Sequence, residues 1–449
     1  MGRYPTRGCR PKKIWTMGNF QSRMVIMEKI YNIYNLAFIS ILFGLIWLLL
    51  IFIGHWFKKG KDCKAEFLNP AATKSLQGLA AFGVLCHHLS QTAAYGSLNQ
   101  IQAFLEVGFL FVAVFFFCSG FGLIKSLNTK SGYLIGFLRH RLPAVIVPFY
   151  VMNLFYIVYH IAIGTKMGLS EWICKVTGVA LLNDNAWFVP VIVILYLSFF
   201  LIFRAEKSDS KGARAKSFVL IFLVIAVQVG WFLFNKHFPW WLGKANWWRS
   251  NAAWATAPWW KTPVALWYEG EWWVNSTIAF LLGMLVAQYQ EKFYAFFSKL
   301  YWVKLVAALL LFAGAMALFF YVEHGLGINY WMEFGGNNKT LPRAILMGIN
   351  ALQSLSFCLL IALIMMKNFA ENRVTRFLGN HSLEIYLMQA LPLRAFQKVF
   401  GIEGRIGEKI SVSMSTAVIY TLCVVASTLV LAVVLKFLSG LVLRLFKKR

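Results

Sequence analysis

The chain has 449 residues, 59% of them hydrophobic and only 14% charged, with a formal charge of +27. A water-soluble domain carries roughly 25% charged residues, so this composition excludes a soluble enzyme. It also argues against a nucleic-acid binder, because the basic residues sit in short segments between long apolar blocks. Those blocks run to about 20 residues, the length that crosses a hydrocarbon layer of about 30 Å. The expected fold is all-α, a polytopic transmembrane helical bundle.

In chain order, residues 1–34 form a basic arm without the small-residue cleavage site of a signal peptide. Spans are predicted at 35–57, 75–95, 101–124, 143–164, 187–203, 217–235, 273–289, 304–322, 343–366, 378–397 and 411–435, about eleven in all. The joining segments "KKGKDCKAEF", "KSLNTKSGYLIGFLRHR", "RAEKSDSKGARAK", "KNFAENRVTR" and the tail "RLFKKR" are basic and alternate, which assigns them and the C-terminus to the cytoplasm. Three units follow: the arm 1–34, an extra span with its loop at 35–73, and a ten-span membrane domain at 74–449. The seven cysteines are scattered, with no CxxC pair and no metal-ligand spacing. The stretch from His237 to Trp273 holds ten of the 18 tryptophans. An interfacial aromatic belt and a stacking platform for sugar rings both account for it.

The segment "KSLQGLAAFGVLCHHLSQ", residues 74–91, places ionisable groups inside an apolar block, where they are costly and mark function. Gln77 and His88 are eleven residues apart, which on a helix returns to nearly the same face after a rise of about 16 Å. Lys74 extends that stripe by a turn, so a polar ladder is expected from the cytoplasmic surface to mid-membrane, ending at His88. His87 points about 100° away and is expected to be a packing residue. Two carboxylates, Glu106 and Glu384, also fall within predicted spans and need a partner or a proton. His381, three residues before Glu384, is a helical neighbour for it.

"LQGLAAFGVLCHHLS" resembles the first span of the membrane-bound acyltransferase-3 family, which carries a basic residue, ten intervening residues and a histidine. His88 falls on that histidine, and Gln77 stands where the family usually has arginine or lysine. "FFFCSGFGLI" is similar to the family's second span, with Ser119 in its Ser-Gly pair. "FLRHRLPAVIVPFY" holds an Arg-x-Arg pair, Arg139 and Arg141. "NAWFVPVIVILYL" and "FLLGMLVAQ" resemble its middle spans. "LGNHSLEIYLMQ" is similar to its late Gly-x-x-Ser…Tyr-Leu pattern, with Gln389 where a histidine is common.

The resemblance implies an integral membrane O-acyltransferase of the cell membrane. Such an enzyme moves an acyl group, most often acetyl, from cytoplasmic acyl-CoA to a hydroxyl of a surface or exported carbohydrate. No permanently bound cofactor and no metal are implied; the partners are the bilayer, acyl-CoA and a surface glycan or lipid-linked sugar. His88 is then the general base, since imidazole titrates near neutrality, and an acyl-imidazole intermediate is the open alternative. Lys74, Gln77, Arg139 and Arg141 are the candidates for binding the donor, guanidinium forks being suited to phosphate. Ordinary positive-inside anchoring also explains the two arginines. Ser119, Asn185, Trp187, Ser382, Glu384 and Tyr386 are the candidates for acceptor binding or support. A transporter of a glycan or lipid-linked intermediate is the second expectation, although no inverted repeat with broken spans is visible.

Overall fold

A computed structural model describes residues 63–92, 104–178, 181–205, 211–235, 274–328, 340–367, 371–403 and 412–447. The predicted span 35–57, the basic arm and the tryptophan-rich stretch lie outside the described residues. Those described are helical, with no strand among them. The helices are α1 Pro70–Ser90, α2 Gly108–Thr129, α3 Phe137–Arg141, α4 Pro143–Ala162, α5 Leu169–Val176, α6 Phe188–Ala205, α7 Lys211–Asn235 and α8 Ile278–Gln288. They continue as α9 Gln290–Ser298, α10 Tyr301–Phe320, α11 Thr340–Lys367, α12 Arg373–Asn380, α13 Ser382–Met388, α14 Ala390–Val399 and α15 Met414–Lys447.

Among the described residues six helical segments are long and apolar enough to cross a membrane: Gly108–Thr129, Phe137–Ala162, Asp184–Ala205, Tyr301–Gly325, Leu341–Lys367 and Ser415–Leu445. Their outward faces are apolar. Trp302, Val306 and Leu310 on α10, and Leu422, Val430 and Phe437 on α15, are all exposed. A water-facing helix would place polar residues there, whereas lipid takes apolar side chains at no cost. The protein is therefore a multi-pass membrane protein.

Two predicted crossings take a different form. The span predicted at 273–289 contains only an 11-residue helix, α8. The span predicted at 378–397 is divided into α12, α13 and α14, with breaks at His381 and Gln389. Pro392 accounts for the second break, because its ring clashes with the carbonyl four residues earlier and it has no N–H to donate.

Helix α1 starts earlier than its apolar block suggests. Asn69 caps it, its Oδ1 accepting from the N–H groups of Ala71 and Ala72 at 3.0 and 2.9 Å, and Pro70 follows in the first turn. With the start at Pro70, His88 lies about 27 Å along the helix, in its last turn and not midway along it.

Helix α1 packs against α2, α12 and α13, and α2 packs in turn against α8 and α11. Glycine allows the closest of these contacts. A Cβ on Gly120 would lie 2.0 Å from the Phe280 carbonyl oxygen, and one on Gly283 would lie 2.0 Å from that of Phe117. The α2–α8 pair is thus a backbone-to-backbone contact of the small-residue kind. Gly78 and Gly379 join α1 to α12 in the same way.

Candidate functional site

The last turn of α1 carries a polar network with defined hydrogen-bond roles. His87 Nδ1 is 2.7 Å from the Phe104 carbonyl oxygen, so it is the protonated nitrogen and His87 Nε2 is left as an acceptor. Gln91 Nε2 donates to that nitrogen at 3.0 Å. Gln91 Oε1 is then turned to His88 and accepts from its Nδ1–H at 3.1 Å. One amide orients both rings: His88 Nδ1 is its donor to Gln91, so in the neutral ring the lone pair lies on Nε2. His87 is the packing residue expected of it, its ring lying against Gly108 of α2.

Arg394 links His88 electrostatically to polar groups on the neighbouring elements. Arg394 on α14 pairs with Asp184 at 3.6 Å, both side chains partly exposed. The Arg394 charge acts on His88, Tyr156, Tyr159 and His160. Asn153, Tyr156 and His160 share one face of α4 by their spacing of three and seven. Asn153 is buried with neither amide atom bonded. Asn183 Nδ2 and the Tyr156 hydroxyl both donate to the Leu387 carbonyl oxygen, at 3.1 and 3.5 Å, close to the break after α13. Leu393 packs with Leu85, Cys86 and Leu89, which holds α14 against the end of α1.

The predicted supporting residues divide between the Asn183 turn and the core. Asn185 is half-buried, its N–H donating to Asn183 Oδ1 at 3.1 Å, and Trp187 is buried beside it. The Tyr386 hydroxyl accepts from the Phe188 N–H at 3.2 Å, deep in the bundle. Ser382 is buried. Glu384 is also buried, within the electrostatic reach of Lys436 and His381, while His381 Nδ1 bonds the Phe377 carbonyl. Glu106 finds its partner in His324 at 3.7 Å, on a π-helical turn, Tyr321–Gly325.

The basic end of the bundle is built differently. Arg141 Nε donates to the Tyr133 hydroxyl at 2.9 Å, and its guanidinium lies 5.9 Å from that ring's centre. Tyr196 reaches Ser119 Oγ at 3.4 Å nearby. Tyr133 also lines a cavity of about 590 Å³ with Asn128, Lys130, Ser131, Arg214 and Gln288. Arg141 backs this cavity through Tyr133, whereas Lys74, Gln77 and Arg139 are not in its wall. Lys74 and Arg139 are exposed and Gln77 is half-buried. The polar ladder is interrupted, because Ala81, Val84 and Leu85 between Gln77 and His88 are packed in the apolar core.

Gln91, Arg394, Lys130 and Arg214 were not among the residues expected. Gln91 had a signal, since it lies four residues after His87 and three after His88, the two spacings that meet on a helix. The other three come from separate segments that only the folded chain assembles.

The fold defines a multi-pass membrane protein, with a hydrogen-bonded polar network in the last turn of α1. The acyltransferase-3 family model, described as an acyltransferase domain, matches residues 71–437, most of the chain, and the chain belongs to that family of membrane acyltransferases. No curated protein and no solved structure matches it.

Proposed function

We propose that the protein is an O-acyltransferase that moves an acyl group, acetyl above all, from cytoplasmic acyl-CoA to a hydroxyl of a cell-surface or exported carbohydrate. The proposal includes the eleven-span arrangement in the cell membrane, with the C-terminus in the cytoplasm. The observation that carries it is the His88 imidazole, held in the tautomer whose Nε2 accepts a proton. In the transfer, His88 Nε2 takes the proton of the acceptor hydroxyl while the oxygen attacks the thioester carbonyl. The new C–O bond forms, the C–S bond breaks, and the departing thiolate receives the proton back from the imidazolium. The same lone pair serves direct attack on the thioester, the acyl-imidazole route.

In this reading Arg394, whose charge reaches His88, Asn153 and His160 contribute to binding the acceptor. Asn185 and Trp187 flank the entrance, and Ser382, Glu384 and Tyr386 support it from the core. Lys130, Arg214 and Arg141 serve the negative phosphates of the donor at the basic end, with Lys74, Gln77 and Arg139 as outlying members. The apolar packing at Ala81, Val84 and Leu85 has to part for the acyl-carrying arm to reach His88. The test is incubation of membranes with labelled acetyl-CoA and cell-envelope glycans. Labelled glycan ester that disappears with His88→Ala is the expected result. Glycan movement across the membrane without ester formation would replace the enzyme with a transporter.

A further inference from the structure

Glu106 stands just before α2, and Glu323 and His324 stand on the π-helical turn that follows α10, Tyr321–Gly325. One ligating atom from each of the three lies within 4.8 Å of the other two. The ion pair of His324 with Glu106, at 3.7 Å, is one edge of this triangle. The turn that presents two of the three is well seated. The Leu326 N–H donates to the Tyr321 carbonyl and the Ile328 N–H to that of Val322, each at 3.1 Å. Phe319 and Val322 pack on Leu346 and Ile349 of α11, and the Phe320 ring stacks on the His324 imidazole with their planes 12° apart. Single π-helical turns of this kind are frequent at functional sites.

The ion pair accounts for one carboxylate only. Glu323 Oε2 is shielded from water and has no hydrogen-bond partner. Among the described residues no lysine or arginine is paired with Glu106 or Glu323. Two carboxylates this close repel each other, and a shielded oxygen without a partner is costly. A proton removes the repulsion and still leaves Oε2 unmatched. A cation held among the three groups offsets both costs.

We propose that Glu106, Glu323 and His324 bind a zinc ion, and that the ion braces the segment leading into α2. Three atoms at these spacings surround a point about 2–3 Å from each, and zinc bonds nitrogen and carboxylate oxygen at about 2.0–2.2 Å. A small contraction completes the site, so the ion needs no cavity beyond the gap between its ligands. One imidazole with two carboxylates suits zinc, with water in the fourth position. Calcium takes about 6–8 oxygens, and magnesium keeps to oxygen ligands. The His324 side chain is 63% exposed and that of Glu106 24%, which leaves one side open for the ion and its water. Phe104, two residues before Glu106, carries the carbonyl that accepts from His87 Nδ1, and Gly108, two residues after it, lies against the His87 ring. The ion therefore steadies the backbone that sets His87, and through Gln91 sets His88. The site is independent of the acyltransferase reading; only its effect on transfer rests on that reading.

The experiment is metal analysis of the purified full chain in lipid nanodiscs, stripped with a chelator, titrated with zinc and freed of loose metal by gel filtration. One retained zinc per chain is expected, with a melting temperature above that of the stripped protein. Glu106→Gln, Glu323→Gln and His324→Ala should each weaken zinc binding by about tenfold or more, since even groups outside a ligand set contribute roughly 10–100-fold. His88→Ala should bind zinc as the parent does. Melting of each stripped variant is recorded to show that it is folded. The site is overturned by a parent that retains no zinc, by equal binding in the folded variants, or by loss of the zinc in His88→Ala. A melting temperature raised as much by calcium or magnesium as by zinc overturns it too. Stripped parent should lose transfer activity and regain it with zinc; a rate indifferent to zinc overturns the link to His87. Zinc bound as expected in a parent that forms no ester would sink the acyltransferase reading and leave the site standing.

Discussion

The two ends of α1 carry the same kinds of residue in opposite circumstances. In the last turn, His87, His88 and Gln91 fix one another's rings and protons, and a single nitrogen is left with its lone pair uncommitted. In the first turns, Lys74 is exposed and Gln77 only half-buried, and neither lines the cavity at that end. The difference separates two kinds of work. A group that exchanges a proton with a reacting atom needs a set tautomer and a set direction, because catalysis falls off with small misplacements. Attraction of a polyanion needs only charge near the mouth, and mobile exposed cations supply it.

The sharpest way to break the contrast is at the set end. His88→Ala is expected to lower acyl transfer by at least about 100-fold, the usual contribution of a positioned general base, with the amount of protein in the membrane unchanged. Transfer within a few-fold of the parent would remove His88 from the chemistry. The joint at the first turns of the helix comes next. Gly379→Ala puts a methyl group 2.3 Å from the Lys74 carbonyl oxygen, and overpacking of this kind costs about 1–3 kcal/mol. A lowered melting temperature is expected, and an unchanged one would show that α12 is not seated on α1.

Gln91 tests whether orientation itself matters. Gln91→Leu keeps the size and removes both side-chain bonds, so a loss of roughly tenfold in transfer is expected, corresponding to about 1.4 kcal/mol of positioning. Gln91→Glu still accepts from His88 Nδ1–H but cannot donate to His87, and it should recover part of the loss. Equal activity of the leucine and glutamate variants would mean that the histidine rings are held by packing alone.

How much of this was legible follows from range. The long apolar blocks became α2, α10, α11 and α15, because hydrophobic length is a local property of the chain. The histidine pair that closes α1 stands out in the sequence, and the Asn69-Pro70 start of α1 is a local signal that the apolar block alone conceals. Pro392 is a local signal of the same kind, for the break within the 378–397 block, and a count of apolar residues passes over it. The polar ladder was overdrawn from its two ends: Ala81, Val84 and Leu85 lie between them on the same helix and pack it shut. Arg394 beside Asp184 is a pairing across the fold, Lys130 and Arg214 line one cavity from separate segments, and no spacing in the chain announces either.

The smallest expected effect concerns the unset end, where it ranks the cations. Lys130→Ala with Arg214→Ala removes both charges from the cavity wall. The donor concentration at half-saturation should rise by roughly three- to tenfold, since exposed charge pairs contribute about 0.2–1 kcal/mol each. The maximal rate should stay near that of the parent, because neither residue approaches His88. Raising ionic strength shortens the screening length to about 3 Å at 1 M salt, so parent and variant should converge there. Arg139→Ala, at an exposed position outside the wall, should move the half-saturation less than the cavity pair does. If Arg139→Ala alone matches or exceeds the pair, the donor enters elsewhere, and the charge at this end is anchoring, as positive loops commonly are.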